Sequence, residues 1–381
     1  MPAQEEVQMA QSGDVVVIGG GVIGMSVAWR LAGRGVRVVI VDPEPGAGAT
    51  GTAAGMLAPV TELHYGEESL LALNVSSARR YPDFVSALQN ETGHDVDYRR
   101  TGTVVAAWDG ADLATLRDLL ELQRQLGLSA EMLSPSQVRE LEPATAAGLP
   151  GGVLARDDHA VDPRRLHAAL MAAGLARGVE VRRARVTALH ERPLRVELDD
   201  GGSLSAPVVV LAAGAWSMSL HAPSAVRPVK GQTLRLRATP MPLQHVLRGS
   251  VRGRAVYLVP RERGELVIGA SSEEAGFDLR PRAGAVHDLL SDAQALLPAV
   301  TEMELVEVST GLRPATPDNA PLIGRTQVPG LVVATGHYRN GVLLAPVTAD
   351  AVAALVVDDV VIPEVAPFGA DRFTASVGVA R

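Results

Sequence analysis

The sequence predicts an α/β fold: an open parallel sheet that the chain leaves and re-enters, with a second domain inserted. Three observations predict it. Residues 14–42 read as strand, glycine turn, helix, strand and acid. Two later apolar runs, 206–214 and 331–336, also end in glycine. Between these returns lie helical and strand-rich stretches that have no place in such a sheet.

The first unit is Asp14-Val15-Val16-Val17-Ile18-Gly19-Gly20-Gly21-Val22-Ile23-Gly24, a helix to Arg34, and Val36 to Asp42. Val15 to Ile18 is a short β-branched run, as in a strand covered on both faces. Gly19 permits the tight turn, Gly21 lets a pyrophosphate approach the backbone, and Gly24 lets the helix pack close to the sheet. The helix start directs unpaired N–H groups and its positive end at that phosphate. Asp42 follows Gly24 by 18 residues, where a carboxylate can accept hydrogen bonds from a ribose diol. The glycine pattern alone also occurs in ordinary turns; strand, helix and acid together make it a dinucleotide site. Asp42 would repel a 2′-phosphate and leaves both NAD and FAD open.

The chain has 381 residues, 47% hydrophobic and 20% charged, with net charge −8. That length fits two domains with ample core. Lys230 is the only lysine; the remaining cations are arginines spread along the chain, a pattern that argues against nucleic-acid binding. There is no cysteine, which excludes disulfides, thiolate metal sites and a cysteine nucleophile. Residues 1–13 lack the basic start and apolar core of a signal peptide and read as a loose tail. No segment reads as membrane-spanning, and the expected location is the cytoplasm.

Residues 43–59 are dominated by glycine, alanine and proline, with hydroxyls at Thr50 and Thr52. After a ribose-binding acid this reads as backbone pressed against a flat or charged group, with a surface loop as the alternative. Residues 67–91 carry helical spacing, and Pro82 marks a kink or boundary. A strand is expected over 101–108, a helix over 112–127, and a capped short helix over 134–141. The chain then returns towards the first domain over 151–162. Asp162 caps a helix to about residue 177, and a hairpin turns at Asp199-Asp200-Gly201-Gly202. Strands are expected over 231–237, 256–260 and 265–271, then a helix over 283–297. The last strand enters His337-Tyr338-Arg339-Asn340-Gly341-Val342 and a helix to about residue 357; residues after Asp358 read as a trailing segment. The paired acids Asp157-Asp158 and Asp199-Asp200 read as solvated turns. The nine histidines show no metal-ligand spacing.

With these pieces in place, the sequence resembles the D-amino-acid oxidase superfamily of FAD-dependent amine oxidases, most closely the glycine oxidases of thiamine biosynthesis. The resemblance rests on residues 15–42, Ala53-Ala54-Gly55-Met56-Leu57-Ala58, residues 209–217, Pro228-Val229-Lys230-Gly231-Gln232 and Tyr257-Leu258-Val259-Pro260-Arg261. It rests most specifically on Gly311-Leu312-Arg313-Pro314-Ala315-Thr316-Pro317-Asp318 and residues 336–346.

It implies a Rossmann-like FAD-binding domain of the glutathione-reductase type over residues 1–80, 150–226 and 306–381. The inserted α+β substrate domain, built on an antiparallel sheet, takes residues 81–149 and 227–305. It implies non-covalent FAD; the missing cysteines exclude a thioether tether. Gly19, Gly21, Val22, Ile23, Gly24, Asp42, Pro43, Ala49 and Thr50 would hold the nucleotide, with Val186 on the adenine side. Ala54, Gly55, Met56, Ala213 and Gly214 would line its path. His337, Tyr338, Arg339, Asn340, Gly341, Val342 and Leu343 would complete the flavin end, with the helix start supplying positive potential there. By the same resemblance Arg313 forks onto the substrate carboxylate, Tyr257 adds its hydroxyl, Arg339 lies near substrate and flavin, and Met56 lies near the flavin ring.

Taken singly, Arg313 reads as a surface or interdomain ion pair, Tyr257 as a half-buried core aromatic, Arg339 as helix-start structure or flavin support, and Met56 as packing. Two departures from the glycine oxidase pattern, Ala255 and Ala270-Ser271-Ser272, imply a roomier or more polar pocket. The implied reaction is oxidative deamination of glycine and small D- or N-methyl amino acids by molecular oxygen. Its products are the 2-oxo acid, ammonia or amine, and hydrogen peroxide, and its setting is thiamine biosynthesis in a possible homo-oligomer. The alternatives are a D-amino-acid or 2-hydroxy-acid dehydrogenase using another electron acceptor, or a flavin-binding subunit without turnover.

Overall fold

The structure, a computed structural model, describes residues 13–373; the tail expected over 1–13 lies outside them except for Gly13. Its first sheet has six strands in the order Leu322–Arg325, Leu331–Thr335, Val208–Leu211, Val15–Ile18, Val38–Val41 and Glu180–Arg182. All pairs are parallel except that of the first two strands. Strand alternation divides Val15–Ile18 between two cores: Val15 and Val17 join one face, Val16 and Ile18 the other. Because both faces are covered, every position must be apolar.

Helix Val22–Ala32 buries every residue except Arg30 and Ala32. It packs against helices Pro163–Ala176 and Ala345–Val357. A β-carbon at Gly24 would stand 1.9 Å from the Gly19 carbonyl oxygen, so only glycine lets helix and strand approach this closely. Asp162 caps Pro163–Ala176 as expected, accepting from the Arg164 and Arg165 amides.

Helix Glu68–Thr92 runs unbroken through Pro82, where the sequence suggests a kink or boundary. Its Tyr81, Phe84, Val85 and Leu88 belong to the core of the first sheet. Phe84 meets Trp29 edge-on at 5.4 Å, and the Tyr81 hydroxyl donates to the Val342 carbonyl over 2.8 Å. This burial offsets the proline's lost hydrogen bond, which costs about 3 kcal/mol in a helix interior. A division after residue 80 therefore falls inside one helix.

The second sheet has eight strands: Glu304–Ala315, Arg227–Arg237, Glu265–Gly269, Arg254–Pro260, Val246–Val251, Thr103–Ala107, Gly152–Ala155 and Glu131–Leu133. It is antiparallel save for one pair, Val246–Val251 beside Thr103–Ala107, which is parallel. Gly152–Ala155 and Glu304–Ala315 both lie in this sheet, so the chain returns to the first layer later than the expected positions 150 and 306. Helix Ala283–Leu296 covers one face.

The expected trailing residues are packed: Val365 and Phe368, in the 3-10 turn Pro363–Phe368, join the first core. Arg372 then pairs with Asp318 at 2.8 Å. Apolar spacing too short for a helix hid this segment.

Gly24→Ala should cost about 3 kcal/mol by forcing helix from strand, read as a lowered thermal unfolding midpoint; an unchanged midpoint would remove the close-approach constraint.

Candidate active site

The carboxyl ends of Val15–Ile18, Val208–Leu211 and Leu331–Thr335 open into a cleft of about 900 Å³ that runs to the second sheet. That is near the upper end of small-molecule sites, roughly 300–1,000 Å³. At its nucleotide end Gly19 has φ +108°, and a β-carbon there would stand 2.3 Å from the Ala212 carbonyl oxygen. Asp42 accepts from the Gly20 amide at 2.7 Å and the Glu44 amide at 2.8 Å. Each carboxylate oxygen keeps a second lone pair for a ribose. Thr50 Oγ1 accepts from the Val22 amide at 3.0 Å, at the helix start.

His167, which sequence reasoning missed, supports this turn from behind. Its Nε2 lies 2.7 Å from the Gly20 carbonyl, and burial pushes the imidazole below its ordinary pKa. A neutral ring facing a carbonyl must carry its proton on Nε2.

Of the residues assigned to the cofactor, Gly19, Gly21, Val22, Ile23, Asp42, Pro43, Ala49 and Thr50 line the cleft. So do Ala54, Gly55, Met56, Val186, Ala213 and Gly214, and His337 through Val342. Gly24 and Leu343 do not. Gly24 faces the Gly19 carbonyl, and Leu343 is 1% exposed within the first core. The expected helix start over 337–341 is a 3-10 turn, Tyr338–Asn340, and the α-helix begins at Ala345. Tyr338 has φ +47°, off the helical path, and Pro346 sits in the helix's first turn, where its missing N–H matters least. His337 is neutral: burial pushes it down to about 3.

The far end of the cleft is built by the second sheet. Arg313, on Glu304–Ala315, donates from Nη1 to the Ser271 carbonyl at 3.1 Å. Its guanidinium lies over Gly231, where a β-carbon would come within 2.5 Å of Nη1. Tyr257, on Arg254–Pro260, has its ring over Gly269, whose β-carbon would meet the hydroxyl at 2.3 Å. Burial pushes the Tyr257 phenol up, with Arg313 opposing, so the hydroxyl stays protonated. Met56, Ala255, Ser271 and Ser272 also line this end.

Arg339 reaches the same place but faces two acids. Its Nε lies 2.8 Å from Glu62 Oε2, and its Nη2 pairs with Glu67. Glu62 Oε1 pairs in turn with Arg248 Nη2 at 2.6 Å. Arg339 thus meets carboxylates of the chain itself where the resemblance implies substrate and flavin. Burial would raise the Glu62 carboxyl, but Arg248 and Arg339 outweigh it and hold it low.

Glu62 and Arg248 were missed by sequence reasoning. Arg248 lies directly across from Tyr257 in the strand pair, so both side chains share one face. Asp158, expected in a solvated turn, is fully buried and accepts from the Val60 amide, the Thr61 amide and the Thr61 hydroxyl at 2.9, 3.0 and 2.5 Å. It anchors the loop that carries Glu62. Arg261, also buried, donates from Nη2 to the Ala54 carbonyl, and burial pushes its pKa down to about 10.

The residues present fit an elongated dinucleotide. Glycines clear the backbone at one end, Asp42 suits a ribose, and the buried Asn340 side-chain amide has an Nδ2 without a partner at the cleft wall. Among the described residues no helix is long and apolar enough to cross a membrane.

A family model described as FAD dependent oxidoreductase, DAO, matches residues 14–355. The glycine oxidase of Geobacillus kaustophilus is 35% identical over 96% of this chain and 98% of its own length. Its crystal structure superposes with a TM-score of 0.89 at 33% identity, covering 94% of this chain and 98% of that one. The bifunctional protein ThiO/ThiG of Trichormus variabilis is 34% identical over 94% of this chain but 55% of its own. The chain thus spans about half the length of that relative.

The Asp158 carboxyl is raised from 3.8 to about 6 by burial, against its three hydrogen bonds and Arg248. The folded state therefore holds more protons between those values than the unfolded state. This group favours the fold fully below about pH 4 and loses that contribution as pH rises through about 6. The wild-type thermal midpoint should fall relative to that of Asp158→Asn across this window; parallel curves would contradict the assignment.

Proposed function

The chain belongs to the DAO family of FAD-dependent oxidoreductases, and from that premise we propose that it oxidises glycine and small D- or N-methyl amino acids. The products are the 2-oxo acid, ammonia or an amine, and hydrogen peroxide. The observation that carries this reading is Arg313. No carboxylate of the described residues pairs with it, while its neighbours in the cleft, Arg248 and Arg339, are both paired. A half-buried guanidinium beside a protonated phenol is a carboxylate receptor, with two parallel N–H donors and one O–H.

When bound, FAD takes two electrons from the carbon bearing the amine and delivers them to oxygen. The chain's own residues orient the substrate. Arg313 and Tyr257 fix the carboxylate at two points, so the neighbouring carbon has one way to face the glycine-lined part of the cleft. Glu62 and Glu67 are both paired with arginines, leaving neither free as a base; rate enhancement rests on orientation. Ala255, Ser271 and Ser272 leave space for a methyl on the α-carbon or nitrogen. The names of the similar proteins, glycine oxidase and ThiO/ThiG, support glycine as a substrate and supply to thiamine biosynthesis as the role.

A panel of glycine, sarcosine and D-alanine read by peroxide release tests the reaction; flavin bleaching without peroxide would replace oxidase by dehydrogenase. Arg313→Leu should raise KM about 100-fold or more with FAD retained, and an unchanged KM would remove its role. Acid precipitation should leave all flavin colour in the supernatant; a yellow pellet would contradict non-covalent binding.

A further inference from the structure

The Arg248–Glu62–Arg339 arrangement takes no part in the chemistry above, yet it borders the same cleft. Three guanidiniums gather at this end: Arg248, Arg313 and Arg339. Glu62 and Glu67 oppose them. His64, also on the cleft, is pushed below its ordinary pKa by desolvation and by Arg339, so it is neutral at pH 7. Three positive charges against two negative leave one, and the geometry puts it on Arg313. We propose that Glu62 is a specificity-determining residue: by bridging Arg248 and Arg339, with Glu67 supplying the second negative charge, it restricts the cleft to amino acids with a single carboxylate.

The proposal deepens the functional reading above and rests on it for the place of the substrate. Glu62 is only 11% exposed, and each of its oxygens is committed to a different arginine. Its loop cannot swing away cheaply: buried Asp158 holds the Val60 and Thr61 amides, and the Thr61 hydroxyl accepts from Arg248 Nη1 at 2.9 Å. A second acid on a substrate side chain or nitrogen substituent would therefore meet a fixed carboxylate in a weakly screened cleft. Without the Glu62 charge, two guanidiniums would face that space with unfilled donors, and a dianion would become the better guest.

The test measures binding without turnover, by calorimetry on the FAD-loaded protein with acetate as the monoanion and malonate as the dianion. Glu62→Gln should tighten malonate relative to acetate by about tenfold or more. Arg248→Met reads the same charge count in the opposite direction and serves if E62Q does not fold: malonate should weaken relative to acetate by a similar factor. An unchanged ratio in either folded variant overturns the proposal. So does a parallel loss of both ligands in E62Q, which would make Glu62 a loop anchor only. A wild type that oxidises no amino acid would sink the proposed reaction while leaving this binding comparison intact.

Discussion

Of the described glycines, Gly24 permits the tightest approach, with a carbonyl oxygen lying where a side chain would begin. Helix Val22–Ala32 rests on the Gly19 turn at Gly24, where a β-carbon would sit 1.9 Å from that oxygen. From this approach follow the direction of the helix start, the reach of Thr50 and the placing of Asp42 under Gly20. The helix's other faces carry Trp29, Met25 and Leu31, all fully buried. They draw Glu68–Thr92, Pro163–Ala176 and Ala345–Val357 around it. One steric allowance sets both the phosphate-facing turn and the packing of a whole layer.

The same device recurs at the far end of the cleft. Gly231 makes room for the Arg313 guanidinium and Gly269 for the Tyr257 ring. Charged and aromatic groups can lie flat on a sheet only where the neighbouring strand offers no side chain. The site is thus defined by absences in the strands as much as by the groups that project. Rigid strands hold Arg313 and Tyr257, while a loop pinned by Asp158 holds Glu62.

Three strands of the first sheet, Val15–Ile18, Val208–Leu211 and Leu331–Thr335, were legible as apolar runs leading into glycine turns, and Val38–Val41 by the acid that follows it, whereas Leu322–Arg325 was not expected. Arg313 and Tyr257 were legible through their motifs. Glu62, Arg248 and His167 were not, for physical reasons. Val246–Val251 contains Gly249, Arg248 and Ser250, and lacks the alternation that marks a strand; its register beside Tyr257 exists only once the sheet is formed. His167 sits on a helix with no local sign that it faces Gly20. Asp158 has the look of a turn acid because its three donors come from a loop nearly a hundred residues earlier. The domain divisions misled where one helix, Glu68–Thr92, begins near one layer and packs along it past Pro82.

The strand order carries a consequence for how the chain comes off the ribosome. Val15–Ile18 acquires its neighbour Val38–Val41 early, but its other neighbour, Val208–Leu211, emerges much later, and Leu331–Thr335 later still. During synthesis the nascent polypeptide presents a half-built nucleotide turn whose apolar edge stays open until residues 208–211 have emerged, and its next wall until residues 331–335 follow. Non-local pairing of this kind is slow to form. Capture of the dinucleotide therefore waits for Leu331–Thr335, and a chain interrupted before residue 331 lacks the wall that would retain it.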